Sequence, residues 1–173
     1  YKYMNEVLDL FTARYPGIET ILQQPAMQEE QKECFLQCFS KDTEKELVGF
    51  AVMGGIFSEG IDLEGDRLIG AVVVGVGLPQ VCFERDIIMD FFKKKNGKGF
   101  EYAYMYPGMN KVMQAAGRVI RSESDRGAVL LIDERFCSSR YTCIFPREWL
   151  HNSIVTSHEE LGRILEEFWS RME

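Results

Sequence analysis

The stretch Ile69 to Leu78, IGAVVVGVGL, carries no charge and no side-chain hydrogen-bonding group. It is far shorter than the roughly 20 apolar residues a membrane span requires, so the rest of the chain must cover it. Consecutive valines predict a strand, and a strand that is apolar on both faces is one buried on both sides in a parallel sheet. Parallel neighbours are joined only by crossover connections, usually helices. The expected fold is therefore α/β, a mostly parallel sheet with helices on both faces.

The remaining sequence keeps that alternation. YKYMNEVLDLFTARY places Met4, Val7, Leu8 and Phe11 at helical spacing and stops at Pro16-Gly17. ETILQQ is a short strand candidate, and QEEQKECFLQCFS a helix whose first turn is acidic, matching the helix dipole. ELVGFAVMGG reads as a buried strand ending in two glycines. After IGAVVVGVGL and Pro79, a helix over FERDIIMDFF runs into KKKNGKG, which reads as a loop. A longer helical region from about Ala103 to Arg121 is expected to bend at Pro107-Gly108. GAVLLIDERF is a last buried strand, and HEELGRILEEFWSRM a closing amphipathic helix entered after Thr156-Ser157 as caps.

In sheets of this kind ligands sit at the carboxyl ends of strands. The polar segments IFSEGID and DER, which follow two of the strands, are the places to look. The chain of 173 residues suits one domain, and its 46% hydrophobic content suits a globular one. A net charge of −7 disfavours a protein that grips nucleic acid over its whole surface but leaves room for a local basic groove. Five cysteines without CxxC pairs, and no secretory signal, predict reduced thiols in a cytoplasmic protein rather than a metal site. The sequence opens on Tyr1 inside an amphipathic pattern, as a fragment of a longer protein would.

Three familiar routes to chemistry are missing from these residues. GVGLPQ has two glycines of a dinucleotide fingerprint, but Gln80 takes the place of the third. No GxxxxGK[ST] is present, so the usual phosphate cradle is not encoded here. His151 and His158 stand outside the expected ligand loops and form no HExxH.

What remains is QAAGRVIR, residues 114 to 121. If MNKVMQAAGRVIR is helical at about 100° per residue, Gln114, Arg118 and Arg121 fall within roughly 60° of one another. Val112, Ala115, Ala116, Val119 and Ile120 then collect on the opposite, buried side. Such a stripe is either a solvated basic face or an anion clamp, and Gly117, which costs about 0.5–1 kcal/mol inside a helix, calls for a packing or functional reason. Lys93, Lys94, Lys95 and Lys98 pose the same choice between a solvated loop and a phosphate-backbone contact.

Taken together, GGIFSEGIDLEGD and QAAGRVIRSESDRGAVLLIDERF resemble motifs V and VI of superfamily 2 DNA helicases of the DinG/XPD type, and the likeness runs from YKYMNEVLDLF to DERFCSSRYTCIFPREW. The resemblance implies a RecA-like (P-loop NTPase-type) second motor domain over residues 1–173. In that family two motor domains close on ATP and Mg2+, the P-loop and acidic box being supplied by the first. It implies that Arg118 and Arg121 are fingers facing the γ-phosphate and that Gln114 orients that face or the attacking water, while on the anion-clamp reading Gly117 lets another backbone or a phosphate of the nucleotide come close. It implies that Glu59, Gly60 and Asp62 couple nucleotide to the DNA track; Ser58 suits a DNA phosphate by its hydroxyl, and Lys94 and Lys95, by charge alone, are the candidate contacts to single-stranded DNA. Asp133 and Arg135 match D-x-R-F and are implied to be structural, positioning the motif VI helix. The family's iron–sulfur cluster belongs to the first motor domain, and no metal is expected in this chain. Two other readings stay open: an inert RecA-like module that binds nucleic acid or a partner protein, and a motor accessory to a fused exonuclease.

Overall fold

A computed structural model describes residues 1–39, 45–55, 67–120 and 125–171. Helix α1 (Lys2–Arg14) ends at Tyr15 ahead of Pro16-Gly17, as its sequence requires, and leads to β1 (Glu19–Leu22). Helix α2 (Glu29–Gln37) starts with Glu29 and Glu30 at its positive end, and Gln31 Oε1 accepts from Gln28 N at 2.8 Å. Strand β2 (Leu47–Phe50) pairs with β1 in parallel, from Glu19 against Leu47 to Leu22 against Phe50. This is the crossover unit that the alternation predicts. Its core is Phe35 of α2, packed with Ile21, Met27, Leu36, Phe39 and Leu68.

Strand β3 (Gly70–Val74) pairs with β4 (Ala128–Ile132), so the described residues contain two two-stranded sheets. The expectation that β3 is covered on both faces is overturned. Val73 is buried, but Val72 and Val74 are 62% and 46% exposed. Side chains alternate across a strand, and here only one face has described residues packed on it.

Helix α3 (Phe83–Asn96) is longer than expected. Lys93, Lys94 and Lys95 are its last turn and not a loop, because Gly97 at φ 76° supplies the left-handed cap that ends it. Three cations at the negative end of a helix are each stabilising by about 0.3–1 kcal/mol. A π-helical turn (Glu101–Met105) then runs into α4 (Tyr106–Ala116). The irregularity expected at Pro107 thus falls one turn earlier. Pro107 itself occupies the start of α4, where a missing N–H is harmless. Arg85 of α3 donates to Ala103 O at 3.2 Å, and the rings of Phe92 and Tyr102 stack, so α3 and the π turn are held together.

On α4, Met109, Val112 and Ala116 form the buried stripe, continued by Met105 before it and Val119 after it. Each fully buried valine or methionine contributes about 1.5–3 kcal/mol. These residues, with β1 to β3, belong to one compact unit, Tyr1–Leu130; Leu131–Glu173 form a second. In the second unit, Asp133 caps a 3₁₀ turn (Glu134–Cys137) that leads through α5 (Ser139–Thr142) and another 3₁₀ turn (Arg147–His151) to α6 (His158–Ser170). Ser157 caps α6 by accepting from Glu160 N at 3.2 Å, and Glu160 Oε2 accepts from Thr156 N at 3.1 Å. Phe136, Phe145 and Trp149 form the aromatic chain of this unit.

Candidate functional site

The helix that carries the Gln/Arg motif is anchored by its apolar stripe and ends sooner than the sequence suggests. Helix α4 stops at Ala116, and Gly117 is its C-terminal cap, at φ −67° and ψ −1°. The backbone then tightens: Arg118 N donates to Ala115 O at 3.2 Å and Val119 N to Ala116 O at 3.1 Å, both three residues back. The α-helix expected to carry Gln114, Arg118 and Arg121 on one face thus ends before Arg118. Gln114 stands exposed on α4, Arg118 stands half-buried on the turn after it, and Arg121 lies outside the described residues. The apolar side also divides, since Val119 is 1% exposed and Ile120 48%. Gly117 escapes the interior-glycine cost by sitting at the helix end.

The carboxyl end of β2 meets α4 through glycines. Gly54 has φ 78°, and a Cβ there would lie 2.8 Å from Lys111 Cδ. Gly77, past the end of β3 at φ 60°, lies so close to α4 that a Cβ would stand 3.1 Å from Gly108 O and 3.2 Å from the methyl carbon of Met53. The loop after β2 is tied from below by Gln23, which is 2% exposed. Its Oε1 accepts from Val52 N at 2.8 Å, and its Nε2 donates to Tyr1 Oη at 3.4 Å. Sequence reading singled out neither Gln23 nor Lys111. Lys111 could have been found by its place three residues before Gln114.

Ser58, Glu59, Gly60 and Asp62 lie outside the described residues. Lys94 and Lys95 are exposed on the last turn of α3. The Lys95 ammonium lies 5.6 Å from the Phe91 ring centre and 5.9 Å from that of Phe92. Asp133 and Arg135 pair with each other, Arg135 Nη2 donating to Asp133 Oδ2 at 2.7 Å. Among the described residues no group of three or more His, Cys, Asp or Glu is placed to hold a metal ion, and all five cysteines are free and exposed. No helix among them is long and apolar enough to cross a membrane. An open groove of about 460 Å³ between β1 and α2 is lined by apolar side chains such as Ile21, Met27 and Phe35, with Cys34 and Cys38, and by none of the candidate site residues.

Helix and strand alternation, parallel pairing of β1 with β2, and a motif helix placed against the strand ends define a RecA-like α/β domain. A solved XPD helicase shares this fold with a TM-score of 0.59 over 80% of the chain and 25% of that structure, at 23% identity. The chain belongs to the family described as the helicase C-terminal domain, whose profile matches residues 1–152. It is 34% identical over 89 residues to the ATP-dependent DNA helicase DinG of Photobacterium profundum, covering 50% of the chain and 13% of that protein. It is 32% identical over 116 residues to a regulator of telomere elongation helicase 1 homolog of Caenorhabditis elegans, covering 62% of the chain and 12% of the relative. The chain thus spans about an eighth of the length of these relatives.

Proposed function

We propose that this chain is the second motor domain of an ATP-dependent DNA helicase, coupling ATP hydrolysis to movement along single-stranded DNA and to duplex unwinding. The observation that carries the reading is the end of α4. There, a helix locked into the core by Met109, Val112 and Ala116 presents Gln114 and, one turn later, Arg118 at a glycine cap, within a family match that covers residues 1–152.

Phosphoryl transfer spreads charge over the γ-phosphate oxygens, and a guanidinium held in place offsets that charge better than mobile water does. Arg118 and Arg121 are assigned this role, and Gln114 the orientation of the same face. A finger of this kind is worth about 10³–10⁵ in rate in other NTPases. The described residues offer cations for the terminal phosphates but no carboxylate cluster for a metal. Since no GxxxxGK[ST] is encoded here, ATP and Mg2+ are assigned, on the family's pattern, chiefly to the first motor domain, together with any iron–sulfur cluster. Glu59, Gly60 and Asp62 are assigned to coupling, and Ser58, Lys94 and Lys95 to DNA phosphates. On this reading the protein works in the cytoplasm, and the isolated chain neither hydrolyses ATP nor unwinds DNA.

The test is Arg118→Ala and Arg121→Ala in a polypeptide joining this chain to its first motor domain. DNA-stimulated ATPase is expected to vanish while the unfolding midpoint holds. Turnover within a few-fold of the parent would refute the finger assignment.

A further inference from the structure

Lys111 stands on α4 three residues before Gln114, so at about 100° per residue the two share the side of the helix opposite Met109, Val112 and Ala116. The Lys111 side chain lies across Gly54. A methyl group at Gly54 would stand 2.8 Å from Cδ, 2.9 Å from Cε and 3.1 Å from Nζ. Gly54 also sits at φ 78°, a left-handed backbone that favours glycine, so a side chain there is strained and would push the lysine stem aside. The stem is thus seated on a glycine, and the ammonium is delivered at the loop leaving the carboxyl end of β2. That loop is held by Val52 N donating to Gln23 Oε1 at 2.8 Å and by Gly55 N donating to Val52 O at 3.0 Å. Lys111 is half-buried and forms no ion pair or hydrogen bond among the described residues. A compact ammonium delivered at that loop suits a ligand bearing negative charge.

Resting on the motor-domain reading above, we infer that Lys111, its stem seated over Gly54, is a further contact to the terminal phosphates of the nucleotide, on the same side of α4 as Gln114. It supplies a compact point charge where the arginines supply planar forks.

The test uses the polypeptide joining this chain to its first motor domain, with a fluorescent non-hydrolysable ATP analogue and single-stranded DNA titrated separately. Lys111→Met is expected to weaken analogue binding by about tenfold or more, as loss of a charged hydrogen bond does, and to leave DNA affinity unchanged. Lys111→Arg is expected to recover most of the loss. Gly54→Ala keeps the charge but displaces the stem, and is expected to weaken analogue binding in the same direction. Unchanged analogue binding in Lys111→Met, or equal losses for DNA and analogue, would overturn the inference. If this occurs while Arg118→Ala still abolishes ATPase, the motor-domain reading stands and the Lys111 contact alone fails. If Lys111→Met melts well below the parent, Gly54→Ala and Lys111→Arg decide, and analogue binding at the parental level in Gly54→Ala counts against the seat.

Discussion

Arg135 holds Asp133 by two parallel bonds, Nε to Oδ1 at 2.8 Å and Nη2 to Oδ2 at 2.7 Å, while its own backbone N donates to Oδ1 at 2.9 Å. One carboxylate is therefore both the cap of the 3₁₀ turn and the partner of a guanidinium fork. The Arg135 side chain, above all, holds this carboxyl below the usual aspartate range, its backbone N–H adding to the effect and partial burial opposing it. A depressed folded pKa adds stability that is present above the unfolded value, near about 3.9, and is lost as pH falls through the folded one.

Asp133→Asn keeps a capping oxygen but removes the charge. Its urea midpoint is expected to fall below the parent's at pH 7, with the gap closing as pH drops below about 4. Asp133→Ala also loses the cap and is expected to cost about 1 kcal/mol more. A gap of equal size at pH 7 and pH 3 would show that the ion pair contributes nothing.

Gln23 supports the β2 loop from inside. Replacing it with leucine keeps the volume but strands the part-buried Val52 N–H, which costs about 1 kcal/mol, up to about 3 for a fully buried donor. Gln23→Leu is expected to lower stability by that amount and to speed amide exchange at Val52 and Gly55 ahead of the β1–β2 pairs. Exchange that rises uniformly across the unit would mean the bond is not local in effect.

Periodicity made the helices legible, because Met109, Val112 and Ala116 mark a buried stripe whatever lies around them. It also made the β1–α2–β2 crossover legible. What it could not show were departures set by backbone details. The end of α4 at Ala116 depends on the i−3 bonds of Arg118 and Val119, while an apolar pattern continuing through Val119 and Ile120 looks helical throughout. Lys93 to Lys95 resemble a loop by charge, yet Gly97 at φ 76° closes a helix over them. Lys111 is within reach of a helix wheel through Gln114, but its seat on Gly54, far away in sequence, is visible only as space.

The Phe92 and Tyr102 rings lie 3.8 Å apart between centroids and within 4° of parallel, coupling α3 to the π turn that precedes the motif helix. A double-mutant cycle with Phe92→Leu and Tyr102→Leu is expected to give a coupling of about 0.5–1.5 kcal/mol in thermal unfolding. Additive losses would mean that each ring is held by its other neighbours, Phe91 for the first and Tyr106 for the second.

Lys94 and Lys95 are placed by the helix dipole whether or not DNA is present, so exposure alone does not reveal their purpose. Binding of a single strand releases counterions in proportion to the phosphates neutralised, with a slope of log K against log salt near about −0.7 per contact. Replacing both lysines with glutamine in the polypeptide that contains the first motor domain is expected to flatten that slope by about 1.4, with circular dichroism showing α3 retained. Glutamine is preferred to glutamate because two anions at this helix end would oppose the dipole and confuse weaker binding with a frayed helix. An unchanged slope would leave these lysines to helix stability and to the Phe91 and Phe92 rings that Lys95 already faces.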